Sequence, residues 1–434
     1  MRFLPLLFLL SAFAKTLPAQ IIPAPPQSTP IAIVGATAHL GTGTAVADAA
    51  VTFADGRITY AGPRAGAPDL TGHTLIDATG KDVYPGFIAM DTKLGLLEVD
   101  AVRATNDTRE VGYFNPNARA LIAFNSDSEI LPTVRNLGVL IAEVSPDGGG
   151  LAGQSSAMYM DGWNWDKSAV GRDVAMHLHW PAAYYATGWW AEPGGIKKSD
   201  KYAEEVRKLD TYFEQAKAFQ SESSGGGGVD NPRFRSMSRL FAKKQKLFVH
   251  ATYPREIEDA VLFGERHGLE VVLVDARDAY LVKDFLYEKG VPVVCGPVHA
   301  LPQRADDLVS QPFETPAELH GAGIPIAFSL SGAWEQRRLP SHAGHAVGFG
   351  LDYEEAVKAL TLSPATMLGI EAEVGSLEAG KHATLFISEG DALDMRTAVV
   401  ERAFIEGRDV DLSSRQTKLA EKYRAKYEQG GGGE

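Results

Sequence analysis

Two short stretches of the chain carry side chains that can bind a metal ion or hold a fixed charge. Asp91 and Lys93 follow the apolar run 87–90, and His250 closes the apolar run 247–249. Alternate residues of a strand share one face, so Asp91 and Lys93 are expected to point the same way. A carboxylate and an imidazole bind metals, whereas a protonated lysine has no lone pair to offer. The pattern predicts either a partial metal site or a fixed arrangement of charges in its place.

Other histidines join such a site only if the fold brings them to it. His177 and His179 form the single His-x-His of the chain, and we expect an edge strand or loop there, with one ring half-exposed. His299 follows a predicted strand and is expected to face a pocket. His342 and His345 lie in a segment with Gly and Ser, which is typical of a surface loop.

Length and composition limit the function classes. The 434 residues suffice for one large domain and one smaller domain, and 45% of them are hydrophobic, as in ordinary globular proteins. A formal net charge of −13 argues against nucleic-acid binding, which needs a basic surface. The chain lacks the Gly-x-Ser-x-Gly elbow of serine hydrolases. Its one cysteine, Cys295, cannot form an intrachain disulfide and is expected to be buried.

The first residues resemble an export signal. Arg2 precedes an apolar run over residues 3–14, which is too short to span a bilayer. Small residues allow cleavage after Ala14 or after Ala19, so residues 1–19 are interpreted as a signal peptide. We therefore expect an exported, periplasmic or extracellular protein that does not span the membrane.

Two kinds of periodicity divide the rest of the chain. Short alternating segments at 31–34, 50–53, 57–62 and 74–77 predict strands, and Asp55-Gly56 predicts a tight hairpin turn. Further along, strands alternate with helices, which is typical of an α/β fold. The predicted strands are 247–250, 270–274, 291–294 and 325–329, and the predicted helices are 254–267, 279–289 and 352–361.

Four motifs resemble the amidohydrolase superfamily of metal-dependent hydrolases, in its imidazolonepropionase-like form. They are Tyr-Pro-Gly-Phe-Ile at 84–88, Leu-Phe-Val-His-Ala at 247–251, the segment 360–369 with Pro-Ala and Leu-Gly, and the Gly-Ser-Leu-Glu-Ala-Gly-Lys stretch within 375–387. The resemblance implies a TIM (β/α)8-like barrel over 85–370 and a small β-sandwich built from 31–84 and 371–412. A C-terminal helix and glycine-rich tail are expected over 413–434.

The resemblance also indicates where the family's metal ligands would lie. The family uses two histidines on strand one, a carboxylated lysine on strand four, histidines on strands five and six, and an aspartate on strand eight. Asp91 and Lys93 stand at the strand-one positions, and His250 matches strand five. We find no counterpart of the carboxylated lysine.

The two remaining ligand positions have also changed. On strand six, Asp275 or Ala276 replaces the histidine, and on strand eight Ser331 or Ser329 replaces the aspartate. The usual two-metal site is therefore not expected.

Two functions follow from these substitutions. The first is a hydrolase of carbon–nitrogen bonds other than peptide bonds, with one divalent ion such as zinc held by His250 and Asp91. Asp91, Lys93 and Ser331 would then occupy the catalytic positions, and His299 and Asp275 would line the pocket. The second is a non-catalytic protein that binds a small molecule, as a homo-oligomer or as the partner of an active homologue.

Overall fold

The computed structural model describes residues 22–189, 191–223, 230–302, 304 and 307–430. Among them, two eight-stranded sheets and a two-stranded ribbon account for the strands. The predicted leader 1–19, with its cleavage sites after Ala14 and Ala19, lies outside these residues, as does the end of the tail. No helix in the described ranges is long and apolar enough to cross a bilayer.

The strands carry the labels β1–β18 in chain order. They are β1 (Ile31–His39), β2 (Ala45–Ala54), β3 (Arg57–Pro63), β4 (Thr74–Asp77), β5 (Asp82–Pro85), β6 (Phe87–Thr92), β7 (Val139–Val144), β8 (Leu151–Tyr159), β9 (Ala169–His179), β10 (Tyr184–Trp189), β11 (Glu192–Lys198), β12 (Lys246–His250), β13 (Val271–Val274), β14 (Val293–Cys295), β15 (Ile326–Phe328), β16 (Leu385–Ser388), β17 (Val400–Ile405) and β18 (Arg408–Val410).

The helices carry the labels α1–α13. They are α1 (Ala120–Ala123), α2 (Leu131–Arg135), α3 (Trp165–Ser168), α4 (Tyr202–Ser223), α5 (Pro232–Ser236), α6 (Ser238–Phe241), α7 (Pro254–His267), α8 (Lys283–Lys289), α9 (Gln311–Gly321), α10 (Leu339–Gly348), α11 (Tyr353–Leu360), α12 (Leu362–Leu368) and α13 (Arg415–Gly430).

The first sheet combines strands from both ends of the chain. Its order is β18-β17-β16-β5-β1-β2-β3, with β4 added beside β1. The β2–β3 hairpin turns at Asp55 and Gly56, whose φ angles of 50° and 78° are those of the predicted tight turn. This sheet has its own apolar cluster, which includes Ile33, Phe53 and Phe404. The strands form one continuous sheet, and a separate two-layer sandwich is not confirmed.

The second sheet forms the predicted TIM-like barrel. Its order is β15-β14-β13-β12-β9-β8-β7-β6, and a bridge between Met90 and Ser329 brings its two edges together. The strands are parallel except for β8, which runs antiparallel to both β7 and β9. An apolar core fills the barrel and the layer beneath its helices. The regular alternation of strand and helix therefore holds only from β12 onward.

A buried ion cluster fastens the first sheet to the barrel. The Asp161 carboxylate, just beyond β8, lies 3.1 Å from Arg135 Nη1 on α2 and 2.6 Å from Arg408 Nη1 on β18. Only 3% of the Asp161 side chain is exposed. One carboxylate thus compensates two buried cations from different parts of the fold.

A second polar contact joins the same two units through β1. His39 Nδ1 lies 2.7 Å from Glu354 on α11, and its Nε2 lies 3.4 Å from Asp82 on β5. Burial alone would lower the pKa of His39, but the two carboxylates raise it to about 9. His39 is therefore charged at neutral pH and holds α11 against the sheet.

Replacing Asp161 by asparagine should lower the free energy of unfolding by about 3 kcal/mol, because Arg135 would lose its ion-pair partner and Arg408 would keep only Glu406, 3.8 Å away. Urea unfolding monitored by circular dichroism measures the change. The matched control is Asp409→Asn, which breaks a half-exposed pair with Arg402 and should cost less than about 1 kcal/mol. Equal losses in both variants would contradict a special role for the buried cluster.

Candidate functional site

The carboxyl ends of the barrel strands surround an open cavity of about 570 Å³. The lining includes seven residues that the sequence analysis named, which are Asp91, Lys93, His179, His250, Asp275, Ser329 and Ser331. They come from strands β6, β9, β12, β13 and β15 or from the turns that follow them. In TIM barrels this end carries the functional residues, so the cavity is the candidate site.

The deepest polar group of the site is Glu143 on β7, whose side chain is fully buried. Its Oε1 lies 2.9 Å from His177 Nε2 and accepts a hydrogen bond from Ser155 Oγ at 2.7 Å. Its Oε2 accepts from the Asp91 backbone N–H at 3.0 Å. His177 Nδ1 in turn lies 3.0 Å from His250 Nε2. Glu143 therefore orients two of the imidazoles, one directly and one through its neighbour.

Asp91 is the charged centre of the cavity wall. Its Oδ1 accepts a hydrogen bond from Ser145 Oγ at 2.6 Å and lies 3.4 Å from Lys93 Nζ. Its Oδ2 lies 4.0 Å from His250 Nδ1. Burial alone would raise the pKa of Asp91, but Lys93, helped by His250 and His177, holds it well below the usual range. Asp91 is therefore ionised.

The prediction of an edge strand or loop at His177 and His179 is wrong, although the His179 side chain is partly exposed. They end β9, which pairs with β8 on one side and with β12 on the other, so this strand is central in the barrel. A polar side chain is tolerated on this central strand because Glu143 pairs with His177 inside the barrel wall. The lone glutamate within an apolar strand and the lone His-x-His were the signals that could have revealed this pair.

His179 presents an unsatisfied nitrogen to the cavity. Its ring stacks on His250 with the centroids 4.1 Å apart. Its Nε2 is buried and lacks a hydrogen-bond partner among the described residues, and Asp147 Oδ1 lies 3.6 Å away. Burial lowers the pKa of His179, although Asp147 opposes the shift, so the ring is neutral.

Backbone strain collects around the cavity. Asp91, Asp275 and Ser331 have φ angles of 48°, 52° and 51°, in the left-handed region that non-glycine residues seldom adopt. Each stands at or just beyond the carboxyl end of a barrel strand. Such strain is typically retained where it aims a side chain at a functional site.

The structure places His299 outside this cavity. It contacts His342, with ring centroids 4.0 Å apart, and its Nε2 lies 3.2 Å from His345 Nδ1. The predicted surface loop around His342 and His345 is instead helix α10, and His342 is almost fully buried. Burial lowers the pKa of His342 to about 3, so it is a neutral core residue.

Asp91, His177 and His250 fit one divalent metal ion. One ligand atom from each lies within 4.8 Å of the others, and no second group of this kind occurs in the described part of the chain. Two imidazoles and a carboxylate suit zinc and leave a coordination position open. Glu143 would serve as the carboxylate that orients a ligating histidine. A second ion does not fit, because the Lys93 ammonium would repel it.

The family of the chain follows from comparison with known proteins. Residues 248–410 match the model of the amidohydrolase family. Over 146 residues the chain is 31% identical to imidazolonepropionase from Symbiobacterium thermophilum. The aligned stretch covers 32% of this chain and 32% of that protein. Residues 248–410 thus form an amidohydrolase-family domain, and the two likenesses support the amidohydrolase superfamily. The matched part of the chain spans about a third of the length of that imidazolonepropionase.

Solved structures extend the likeness of this amidohydrolase fold along the chain. An amidohydrolase from Thermotoga maritima MSB8 superposes with a TM-score of 0.76 at 24% identity, covering 88% of this chain and 99% of that one. A prolidase complexed with N-methylphosphonate-L-proline gives 0.53 at 17% identity and covers 88% and 100%. At these identities the likeness concerns the fold alone.

Replacing Glu143 by glutamine tests its role in the site. The amide nitrogen of the glutamine would face N–H or O–H donors that now bond to the Glu143 carboxylate, so the free energy of unfolding should fall by about 1–3 kcal/mol. His177 should shift its proton from Nε2 to Nδ1, which ¹⁵N chemical shifts of the ring report. The control is Glu401→Gln, at the half-exposed pair with Lys81. Unchanged stability and an unchanged tautomer would contradict the role assigned to Glu143.

Proposed function

We propose that this protein is an exported hydrolase of carbon–nitrogen bonds other than peptide bonds, acting on a small molecule with one divalent metal ion. The amidohydrolase-family match of residues 248–410 and the likeness to an imidazolonepropionase support hydrolysis. The observation that carries the proposal is the convergence of Asp91, His177 and His250, of which Asp91 and His250 line the cavity and His177 is buried behind them. Compared with the family pattern, this site is reduced and has fewer ligands.

Asp91, His177 and His250 would hold the ion. When bound, it supplies a water molecule of lowered pKa and polarises the carbonyl of the substrate. Glu143 fixes the orientation of His177 through Nε2, and Ser145 fixes the orientation of Asp91. These contacts preorganise the donors before a substrate enters.

Other side chains of the wall can act on the substrate directly. The Lys93 ammonium lines the cavity and can stabilise negative charge that develops on a substrate oxygen. The unsatisfied Nε2 of His179 can form a hydrogen bond with the leaving nitrogen. Ser331 or Ser329 would take the position of the family's aspartate, and a serine hydroxyl supplies hydrogen bonding but no carboxylate base.

A second candidate function is that of a non-catalytic ligand-binding protein or a partner subunit of an active amidohydrolase. One observation favours it, namely the Lys93 ammonium 3.4 Å from Asp91 Oδ1. This cation already compensates the Asp91 charge, as a metal ion would. The two candidates therefore differ in whether the cavity binds metal.

Metal content distinguishes these candidates. Untagged protein equilibrated with zinc and then gel-filtered should retain about one equivalent, measured by inductively coupled plasma mass spectrometry. His250→Asn should lose it, whereas Lys93→Gln should bind zinc about tenfold more tightly because a repelling charge is gone.

The control variant is His320→Asn, since His320 lies on α9, away from the cavity-lining residues. It should retain zinc like the wild type. Folded wild-type protein without zinc would overturn the metal-dependent hydrolase and favour the ligand-binding function.

Export is proposed from residues 1–19 alone, which read as a signal peptide. Expression of the full chain in a bacterium with two membranes should place it in the periplasm. The intact mass should correspond to cleavage after Ala14 or Ala19. A chain of full mass in the cytoplasm would contradict export.

A further inference from the structure

We propose that Asp275 binds the ammonium group of a positively charged substrate. Asp275 follows β13 and lines the same cavity as Asp91 and His250. This inference deepens the proposed hydrolase by naming its substrate class. That Asp275 forms part of a substrate site depends on the proposed hydrolase function. That Asp275 binds an ammonium group does not depend on it.

The charge of the cavity wall favours a cation. The lining contains four carboxylates, from Asp91, Asp147, Glu256 and Asp275, against the single ammonium of Lys93. An excess of negative charge in a concave site concentrates cationic ligands and disfavours anionic ones.

Three of these carboxylates already have partners within the protein. Glu256 accepts hydrogen bonds from the backbone N–H groups of Ala183, Thr252 and Tyr253. Asp91 is held by Ser145 and Lys93, as described above. Asp147 accepts from the Gly148 N–H at 2.8 Å.

The Asp275 carboxylate differs from the other three. In the described part of the chain it accepts no hydrogen bond, and its Oδ1 is buried without a partner. Arg277 Nε forms an ion pair with this oxygen at 3.7 Å, which is too long for a hydrogen bond and leaves the oxygen without a close donor. An unsatisfied carboxylate at a cavity wall calls for a donor from outside the chain, and an ammonium group supplies up to three.

The backbone around Asp275 adopts an unfavourable conformation that positions its carboxylate. Asp275 has a left-handed φ of 52°, a conformation that is unfavourable for a residue other than glycine. A Cβ on Gly296 would lie only 2.0 Å from Asp275 Oδ1. Glycine at 296, on the turn after β14, therefore leaves the room that this carboxylate occupies.

The cavity also has the right size for a small amide that carries a charge. Its volume of about 570 Å³ lies within the range of small-molecule sites. Tyr184 and Tyr253, whose rings meet edge to face with centroids 5.2 Å apart, form part of the wall. We therefore expect an amide whose cationic group reaches Asp275.

Two amides that differ only in one amino group test the inference. L-Leucinamide carries an α-ammonium group at pH 6.5, and 4-methylpentanamide has the same skeleton without it. Titration of the full mature protein, followed by NMR, should show about 10- to 100-fold tighter binding of L-leucinamide, the range expected for a charge-assisted hydrogen bond. The titrations are run with chelator and again with zinc.

Variants separate the charge of Asp275 from its position. Asp275→Asn should reduce the preference to within about threefold, because the countercharge is gone. Gly296→Ala keeps the charge but displaces the carboxylate, and it should weaken the preference as well. Asp284→Asn, on α8, is the matched control and should keep the wild-type preference.

The outcomes separate this inference from the proposed function. Equal binding of the two amides by the wild type, or a preference that survives Asp275→Asn, would overturn the inference even if zinc binds. A preference that depends on Asp275 in protein that binds no zinc would support the ammonium site while the hydrolase proposal fails.

Discussion

The buried carboxylate of Glu143 is the constraint on which the candidate site depends. From β7 it binds the Asp91 N–H on β6, the Ser155 hydroxyl on β8 and the His177 ring on β9. Four neighbouring strands are thereby held in one register around one charged group. A buried carboxylate is costly unless donors surround it, and here the donors are the groups that build the site. The same interaction stabilises the barrel wall and aims its functional side chains.

The pair of Asp91 and Lys93 defines what the site can hold. Where the family pattern has two neutral imidazoles on the first barrel strand, this chain has one anion and one cation. Asp91 keeps one oxygen directed towards His250, and Lys93 lies beside the other. This geometry leaves room for one divalent ion and makes a second unfavourable by repulsion. It explains how a reduced ligand set can remain compatible with the fold of this superfamily.

Local structure was largely predictable because its causes are local. The Asp55-Gly56 turn and the helices predicted at 254–267 and 352–361 follow from φ preferences and apolar periodicity. The reversed direction of β8 was not predictable in this way. Strand direction depends on which distant strands pair with it, and a run of apolar residues has no direction of its own.

By itself, the sequence determined the superfamily-like motifs, the barrel with a strand layer from both chain ends, and Asp91, Lys93, His250, Asp275 and Ser331 as wall residues. Only the tertiary structure decided that His177 belongs with His250 and Asp91, and that His299 does not. It also decided that Glu143 is buried beneath them. Ligands converge when strands that lie far apart in the chain are brought side by side, and spacing along the sequence carries no measure of that distance.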